Sequence, residues 1–481
     1  MGNLKEATKI TIGLEIHITL KTKEKIFNYE NTYQGESLPN SKVSSWELGY
    51  LGSLPIINPE TVRLALKLAN SLEMKINSLL LFDRKIYNYF DLPKGYQITQ
   101  QQPLANNGFL PIIQNNSIKK IPISSIHLEE DTAKSLYHEK EILLDFNRAG
   151  NPLIELVTAP VFHDKETVLL FLQQLQNLLR YLEISETKME KGQLRVDLNY
   201  SLIINPNYVT PRYEVKNLNS FRNLERALEY EIAKHQQLFA CQVQPPFSQT
   251  LGFNEEKQIT ITQREKTNYY YLPEVNIPPI KLKKKEIAQA KKSLPCLPWK
   301  RWEKLKEVKV NEKNALLVSE KSLLMNIFNF LEKKLYWQVN ESNEWIIFFL
   351  NFLSFYFSEE NFWQFKKRCF SYWQLFHYWK QKKISKEEIS LIAEKLAKTR
   401  QNLAYLIKKH HQKKVIIDQK LVNQEITRLW IEENLEESYL LNCQKVQNYL
   451  LGRLKKKYPS YSVSEIIKVI SDFLQAARKF D

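Results

Sequence analysis

The chain of 481 residues is long enough for roughly two to four domains, and its 43% of apolar residues can build real hydrophobic cores. Its formal net charge of +16 lies entirely in the last part of the chain, because residues 1–280 carry 30 basic and 31 acidic side chains. An excess of that sign attracts phosphate polymers or anionic lipid surfaces, and a solvated lysine-rich surface is the alternative.

Four isolated cysteines and an N-terminus without an apolar signal core predict a reducing compartment, the bacterial cytoplasm or an organellar matrix. The most apolar run, residues 345–357, is too short to cross a bilayer, so we expect a buried helix and no membrane span. The sequence has no Walker-type glycine loop, no G-x-G-x-x-G and no G-x-S-x-G, which excludes those nucleotide-binding loops and the serine-hydrolase elbow.

Residues 1–160 are predicted to be rich in β-strands, because short alternating runs are separated there by Pro, Asn and Gly. Apolar residues at helical spacing then predict one helix over 164–182, with Asp164 as its N-cap, and another over about 220–239. Two further strands are predicted at 194–202 and 213–216.

Helical patterns dominate after the extended, proline-rich segment 273–279, which predicts a domain boundary. The aromatic-rich region 327–380 favours a helical core over a surface that stacks RNA bases. Gln412 to Val415 is predicted to separate a helical domain from a small tail. The predicted helices cover residues 285–293, 299–335, 343–380, 386–410, 418–434, 441–457 and 463–479.

The clearest single element is the run from Ile10 to Leu20, in which Ile or Leu alternates with other residues without a break. A strand places these apolar side chains on one face, so Glu15 and His17 point together from the other face, roughly 7 Å apart. Their side chains can converge on one cation or on one proton-transfer centre.

Other predicted strands carry similar polar residues. Glu129 and Glu130 belong to a run of three acids, Glu155 interrupts an apolar strand, and Asp197 lies on the polar face of the strand 194–202. Together with Glu15 and His17 they supply the hard oxygen ligands that Mg²⁺ prefers, with one imidazole. The alternative is an antiparallel sheet whose solvent-facing side is simply polar.

Six long strings in this half resemble the B subunits of the tRNA-dependent amidotransferases, the GatB/GatE family. The resemblance runs from Ile12 to about Ile280. The strings are IGLEIHITLKTKEKIF, DLPKGYQITQ, IHLEEDTAKS, DFNRAGNPLIELVTAP, MEKGQLRVDLN and EVKNLNSFRNLERALEYE.

The resemblance implies an α+β chain with three domains. A mixed β-sheet "cradle" catalytic domain over 1–283 would be followed by an all-α helical domain over 284–412. A small helical YqeY-like tail over 413–481 would bind tRNA, with Leu450 to Arg453 where the family has a similar core motif.

The resemblance also implies a function. The family's B subunit is a ligase component that uses ATP and Mg²⁺ to phosphorylate the side-chain carboxylate of Glu-tRNA(Gln) or Asp-tRNA(Asn). An A subunit supplies ammonia from glutamine, and a C subunit joins A and B in a heterotrimer that serves protein biosynthesis.

By resemblance, ten residues are expected to form the site. Glu15, His17, Glu130 and Glu155 match the family's Mg²⁺ positions, and Glu129 and Asp197 would assist them beside the metal or as ligands. Four more residues match positions near the substrate and the channel mouth: Lys85, Arg148, Lys216 and Asn217.

The chain also departs from the family pattern. The segment WELGYLGSLP stands where many members carry a zinc-binding cysteine pair, so no structural zinc is expected. Ala159 and Val161 replace two acids, and Tyr270 replaces an arginine. We predict an active enzyme, and a catalytically degenerate tRNA-binding scaffold is the alternative.

Overall fold

The structure is a computed structural model that describes residues 8–33, 35, 38–86, 88–138, 141–265, 269–307, 309–334, 342–358, 361–411, 418–436, 439, 442–458, 461 and 463–477. The chain divides into two compact units, Met1–Glu344 and Trp345–Asp481. The strands of the described residues are β1 (Lys9–Thr19), β2 (Lys75–Ile76), β3 (Leu79–Leu80), β4 (Asp83–Ile86), β5 (Tyr96–Thr99), β6 (Ala105–Gln114), β7 (Ser117–Glu130), β8 (Lys134–His138), β9 (Glu141–Asp145), β10 (Pro152–Thr158), β11 (Leu194–Asn205), β12 (Tyr208–Val209), β13 (Tyr213–Leu218), β14 (Gln249–Asn254), β15 (Ile259–Glu265), β16 (Tyr270–Pro273) and β17 (Ile280–Lys281).

The helices of the described residues follow the chain from α1 to α14. They are α1 (Pro59–Ser71), α2 (Lys165–Tyr181), α3 (Phe221–Ala240), α4 (Lys284–Lys292), α5 (Pro298–Glu307), α6 (Glu312–Glu320), α7 (Ser322–Lys334), α8 (Ser342–Phe352), α9 (Phe362–Lys380), α10 (Lys386–Lys398), α11 (Leu403–His411), α12 (Gln419–Glu432), α13 (Cys443–Lys457) and α14 (Val463–Ala477).

A ten-stranded sheet organises the first unit within the described residues. Its order is β15-β14-β13-β11-β1-β10-β7-β6-β2, with β12 paired to β11. β13 and β14 run parallel, whereas β1 runs antiparallel to both of its neighbours, so the predicted mixed sheet is confirmed. Smaller sheets join β16-β4-β5, β17-β3 and β8-β9.

The alternating sequence of β1 decides which face of the sheet is buried. Ile12, Leu14, Ile16 and Ile18 are at most 1% exposed and belong to the main hydrophobic core, which also contains the apolar side of α2. Burying each such side chain stabilises the fold by about 1.5–3 kcal/mol. The opposite face of β1 is therefore fixed as the one that carries Glu15 and the other polar residues.

Several predicted helices agree with the structure, and others are divided. Asp164 caps α2 as expected, since its carboxylate accepts a hydrogen bond of 2.6 Å from the backbone N–H of Thr167. The predicted helix 299–335 is three helices, with Lys309 in the left-handed region between α5 and α6. The helices predicted over 343–380 and 386–410 are each divided in two.

The second unit contains helices with an aromatic core. Trp345 is buried and lies 5.3 Å from the ring of Phe376 and 5.4 Å from that of Phe348, measured between centroids. The predicted aromatic core is therefore confirmed around Trp345. Trp363 differs, because 54% of it is exposed and the ammonium of Lys367 lies 4.7 Å from its ring centroid.

The last three helices, α12 to α14, share a separate apolar cluster that includes Val422, Leu450 and Ile470. The division into 1–283, 284–412 and 413–481 stays a prediction, and the predicted divider from Gln412 to Val415 lies outside the described residues. In the part of the chain that the structure describes, no helix combines the length and apolarity needed to cross a membrane.

Candidate active site

The polar face of β1 lies near the middle of the large sheet. His17 is paired with Glu155 of β10 on one side and with Arg195 of β11 on the other, while Glu15 is paired with Asp197. Directly opposed residues of neighbouring strands point to the same face of a sheet. The strand register therefore gathers these five side chains.

His17 lies among three carboxylates. Its Nε2 is 3.3 Å from Oε1 of Glu129, 3.7 Å from Oε2 of Glu155 and 3.9 Å from Oε1 of Glu15. The ligand atoms of Glu15, His17 and Glu155 all lie within 4.8 Å of one another, so these three residues could hold a metal ion. We call them, together with Glu129, the His17 cluster.

The charges of the His17 cluster favour a bound cation. Burial, together with the negative charges of Glu155 and Asp197, raises the pKa of Glu15 to about 7. Burial and Glu155 also raise the pKa of Glu129 well above its usual value. A divalent cation relieves such repulsion, and oxygen ligands with one imidazole suit Mg²⁺. The residues present therefore fit this metal.

The imidazole of His17 is in the state that a metal ligand needs. Burial, followed by the positive charges of Arg195, Lys216 and Lys85, lowers the pKa of His17 well below its usual value. The ring is neutral near pH 7, so a ring nitrogen keeps the lone pair that a cation would accept.

Glu130 lies apart from the His17 cluster, although we predicted it as a ligand. It follows Glu129 in β7, and successive residues of a strand point to opposite faces. Both of its carboxylate oxygens are 2.7 Å from Nζ of Lys94, and Oε1 also accepts a hydrogen bond from the backbone N–H of Ile98. The geometry thus gives Glu130 a different partner, and its metal-binding role stays a prediction.

Asp197 and Lys216 form an ion pair beside the His17 cluster. Nζ of Lys216 is 2.6 Å from Oδ2 of Asp197 and 3.1 Å from Oε1 of Glu214. Burial lowers the pKa of Lys216, but the charges of Asp197 and Glu214 outweigh it and leave that pKa raised. Asn217 is exposed and has a φ of +64°, a conformation that asparagine tolerates.

Lys85 and Arg148 approach the site from other strands and loops. Nζ of Lys85 lies 4.6 Å from the ring centroid of Tyr269, and its charge acts on both His17 and Glu129. Arg148 donates hydrogen bonds of 2.9 Å to the carbonyl oxygens of Thr132 and Ala133. Positive side chains therefore border the acidic cluster.

Two residues that the sequence reasoning left out belong to this region. Arg195 lies on the polar face of β11 two residues from Asp197, so the same alternation that found Asp197 could have found it. Lys94 had no comparable signal, because no spacing rule connects it to Glu130.

The comparisons with known proteins agree with the position of the site. The sequence model of the GatB/GatE catalytic domain family matches residues 10–288, which include all ten predicted site residues. The chain is 42% identical over 309 residues to the B subunit of the aspartyl/glutamyl-tRNA(Asn/Gln) amidotransferase of Mycoplasmopsis agalactiae, covering 63% of this chain and 64% of that protein.

Two further relatives carry the same name. The chain is 45% identical over 286 residues to the protein of Coprothermobacter proteolyticus, covering 57% of this chain and 59% of the relative. It is 38% identical over 319 residues to that of Mesoplasma florum, covering 65% and 66%. The chain thus spans less than two thirds of the length of these curated relatives.

Proposed function

Because the chain belongs to the GatB/GatE catalytic domain family, we propose that it is the activating subunit of a glutamine-dependent tRNA amidotransferase. Its substrates are Glu-tRNA(Gln), Asp-tRNA(Asn) or both. The γ-phosphoryl group of ATP is transferred to the side-chain carboxylate of the tRNA-borne amino acid, and ADP leaves. Ammonia then attacks the activated carbonyl carbon, phosphate leaves, and Gln-tRNA(Gln) or Asn-tRNA(Asn) is formed.

The His17 cluster is the observation that carries this proposal. Glu15, His17 and Glu155 would hold Mg²⁺, which when bound neutralises charge on the transferring phosphoryl oxygens. A carboxylate and ATP are both anionic, so their approach also needs fixed positive charges. Lys216, held by Asp197, and Lys85 are close enough to the cluster to supply them.

The proposal includes partners that the names of the relatives suggest. An amidase A subunit would release ammonia from glutamine, and a C subunit would complete a heterotrimeric ligase. Residues 413–481 would be a YqeY-like tail that binds tRNA. This is supported by the compact core of α12 to α14, by the basic end of α13 at Lys455, Lys456 and Lys457, and by the charge excess after residue 280.

The test uses the chain assembled with its A and C partners, Glu-tRNA(Gln), ATP, Mg²⁺ and glutamine. Glu15→Ala and Glu155→Ala are each expected to abolish phosphorylation and to leave tRNA affinity unchanged. Glu256→Ala, in the exposed turn between β14 and β15, is the matched control. Normal turnover in either cluster variant would contradict the metal assignment.

The same assay separates the proposal from the scaffold alternative. A scaffold binds tRNA but hydrolyses no ATP, and changes in the His17 cluster leave it unaffected. Deleting residues 415–481 is expected to remove the salt-sensitive part of tRNA binding, because each lost phosphate contact lowers the slope against log salt by about 0.9.

A further inference from the structure

Arg195 has no role in the function proposed above, yet it stands beside the His17 cluster. Its Cα is paired with that of His17 across β1 and β11, and 31% of its side chain is exposed. Its charge is close enough to the cluster to act on both His17 and Glu129. A cation in this position faces the same space as the proposed metal.

Asp131 determines how Arg195 is oriented. Nη2 of Arg195 donates a hydrogen bond of 3.0 Å to Oδ1 of Asp131, whose side chain is 3% exposed. The backbone of Asp131 is fixed on both sides, since its N–H donates to the carbonyl of Asn151 and its carbonyl accepts from the N–H of Gly150, each at 2.9 Å. The acceptor for Arg195 is therefore held rigidly.

Arg148 shows the contrast. It shares Asp131 with Arg195, with Nε 3.6 Å from Oδ1, but it spends two of its N–H donors on backbone carbonyls. Among the described residues, Asp131 is the one hydrogen-bond acceptor of Arg195. A guanidinium has five N–H donors in a planar fork, so Arg195 keeps donors for a ligand.

We propose that Arg195 is an additional substrate-binding residue, oriented by Asp131 to bind an oxyanion of the substrate beside the metal. The inference rests on the proposed function and assigns a group to it. Phosphoryl and carboxylate oxygens share the required chemistry, because both accept the two parallel hydrogen bonds of a guanidinium. The His17 cluster binds cations, and Arg195 supplies the complementary group for the anion.

The experiment compares Arg195→Gln, Arg195→Lys and Asp131→Asn in the assembled enzyme, with exposed Arg222→Gln of α3 as the matched control. Arg195→Gln is expected to lower kcat/KM by about 10- to 100-fold, the usual effect of losing hydrogen bonds to a charged group. Arg195→Lys keeps the charge but loses the fork, so it is expected to recover part of this loss. A rise in KM for ATP alone identifies phosphoryl oxygens as the ligand, and a rise for the aminoacyl-tRNA alone identifies the carboxylate.

Binding of Mn²⁺, followed by electron paramagnetic resonance, separates substrate binding from a structural role. Arg195→Gln removes a positive charge near the cation, so Mn²⁺ is expected to bind as tightly as in the unchanged protein or more tightly. Weaker Mn²⁺ binding together with lost turnover means that Arg195 only maintains the site, and this result overturns the proposal.

Asp131 is tested as a positioning residue by a double-mutant cycle. If it acts through Arg195, the loss caused by Asp131→Asn largely disappears in the Arg195→Gln background. Fully additive losses overturn that role. Turnover within twofold of normal in Arg195→Gln overturns the inference and leaves the proposed function standing. An unchanged protein that phosphorylates no aminoacyl-tRNA rejects the proposed function itself.

Discussion

Two groups of buried carboxylates in the first unit lie in opposite electrostatic surroundings. Glu130 has the ammonium of Lys94 and a backbone N–H as partners, and Glu47 accepts hydrogen bonds from Ser44 and Asn28 with Nζ of Lys25 at 3.8 Å. The acids of the His17 cluster instead face one another and a neutral imidazole.

The difference separates residues that stabilise the fold from residues that await a ligand. A buried carboxylate with a full set of partners contributes to a single native arrangement without any added component. Crowded carboxylates raise the free energy of the folded protein until a cation arrives. The two groups should therefore respond to substitution with opposite signs.

The largest effect is expected for Lys94→Met. Methionine fills a similar volume but leaves Glu130, which is 1% exposed, without its ion-pair partner. Breaking a buried pair from one side typically costs about 3–5 kcal/mol in the free energy of unfolding. Urea unfolding at pH 8 measures this, and Lys94→Met with Glu130→Leu should recover most of the loss. A cost below about 1 kcal/mol for the single change would show that Glu130 does not depend on Lys94.

Glu47→Gln is the next largest expected change. Glutamine keeps one acceptor oxygen but turns an amide NH₂ toward a donor, either the N–H of Ser44 or the amide of Asn28. Lys25, which is fully buried, also loses its counter-charge. We expect a loss of about 2–3 kcal/mol in urea unfolding. Glu256→Gln in an exposed turn is the control, and an equal effect of both would contradict a special role of Glu47.

The sequence predicted the faces of this site better than its partners. The alternation of β1 was sufficient to place Glu15 and His17 on one side, and the structure confirms it. The pairing of His17 with Glu155 depends on strand order and register, which alternation within one strand does not contain. The neighbours Glu129 and Glu130 were grouped in the prediction, although the period of two in a strand already implied that they point apart.

Misplaced helix boundaries have similar explanations. α1 lies in the region predicted as β-rich, yet its signals were present, because Asn58 caps its first turn and Pro59 opens it. The break between α5 and α6 had a weaker signal. Lys309 adopts a φ of +57° without being glycine or asparagine, so only tertiary packing reveals the turn there.

A change in the His17 cluster should have the opposite sign to those at Lys94 and Glu47. The pKa of Glu15 is about 7 in the folded protein against an ordinary value of 4.5, so the folded state binds the proton more tightly. Metal-free stability should therefore fall as the pH rises from 4.5 to 7. Without metal at pH 8, Glu15→Gln is expected to be more stable than the unchanged protein, on the order of 2 kcal/mol.

Adding Mg²⁺ should reverse that order. A cation at a hundred times its dissociation constant stabilises the unchanged protein by about 2.7 kcal/mol and should not stabilise the variant to the same extent. Thermal unfolding with a chelator and with Mg²⁺ measures both parts. A variant that is less stable than the unchanged protein with chelator at pH 8 would show that the cluster is not under repulsion.

The smallest effect is expected for Glu425→Gln in α12, where an acid is paired but its partners are in water. Hydrogen bonds from Arg428 and Lys457 lower the pKa of Glu425 to about 2. This folded-state pKa lies below the ordinary 4.5, so the contribution is present above pH 4.5 and lost as the pH falls toward 2. Arg428 and Lys457 are about half exposed, so solvent and salt screen the pairs, and the cost at pH 7 should stay below about 1 kcal/mol. Amide hydrogen exchange of α12 to α14 measures it, and a cost above 2 kcal/mol that is insensitive to salt would place Glu425 with Glu47 and Glu130.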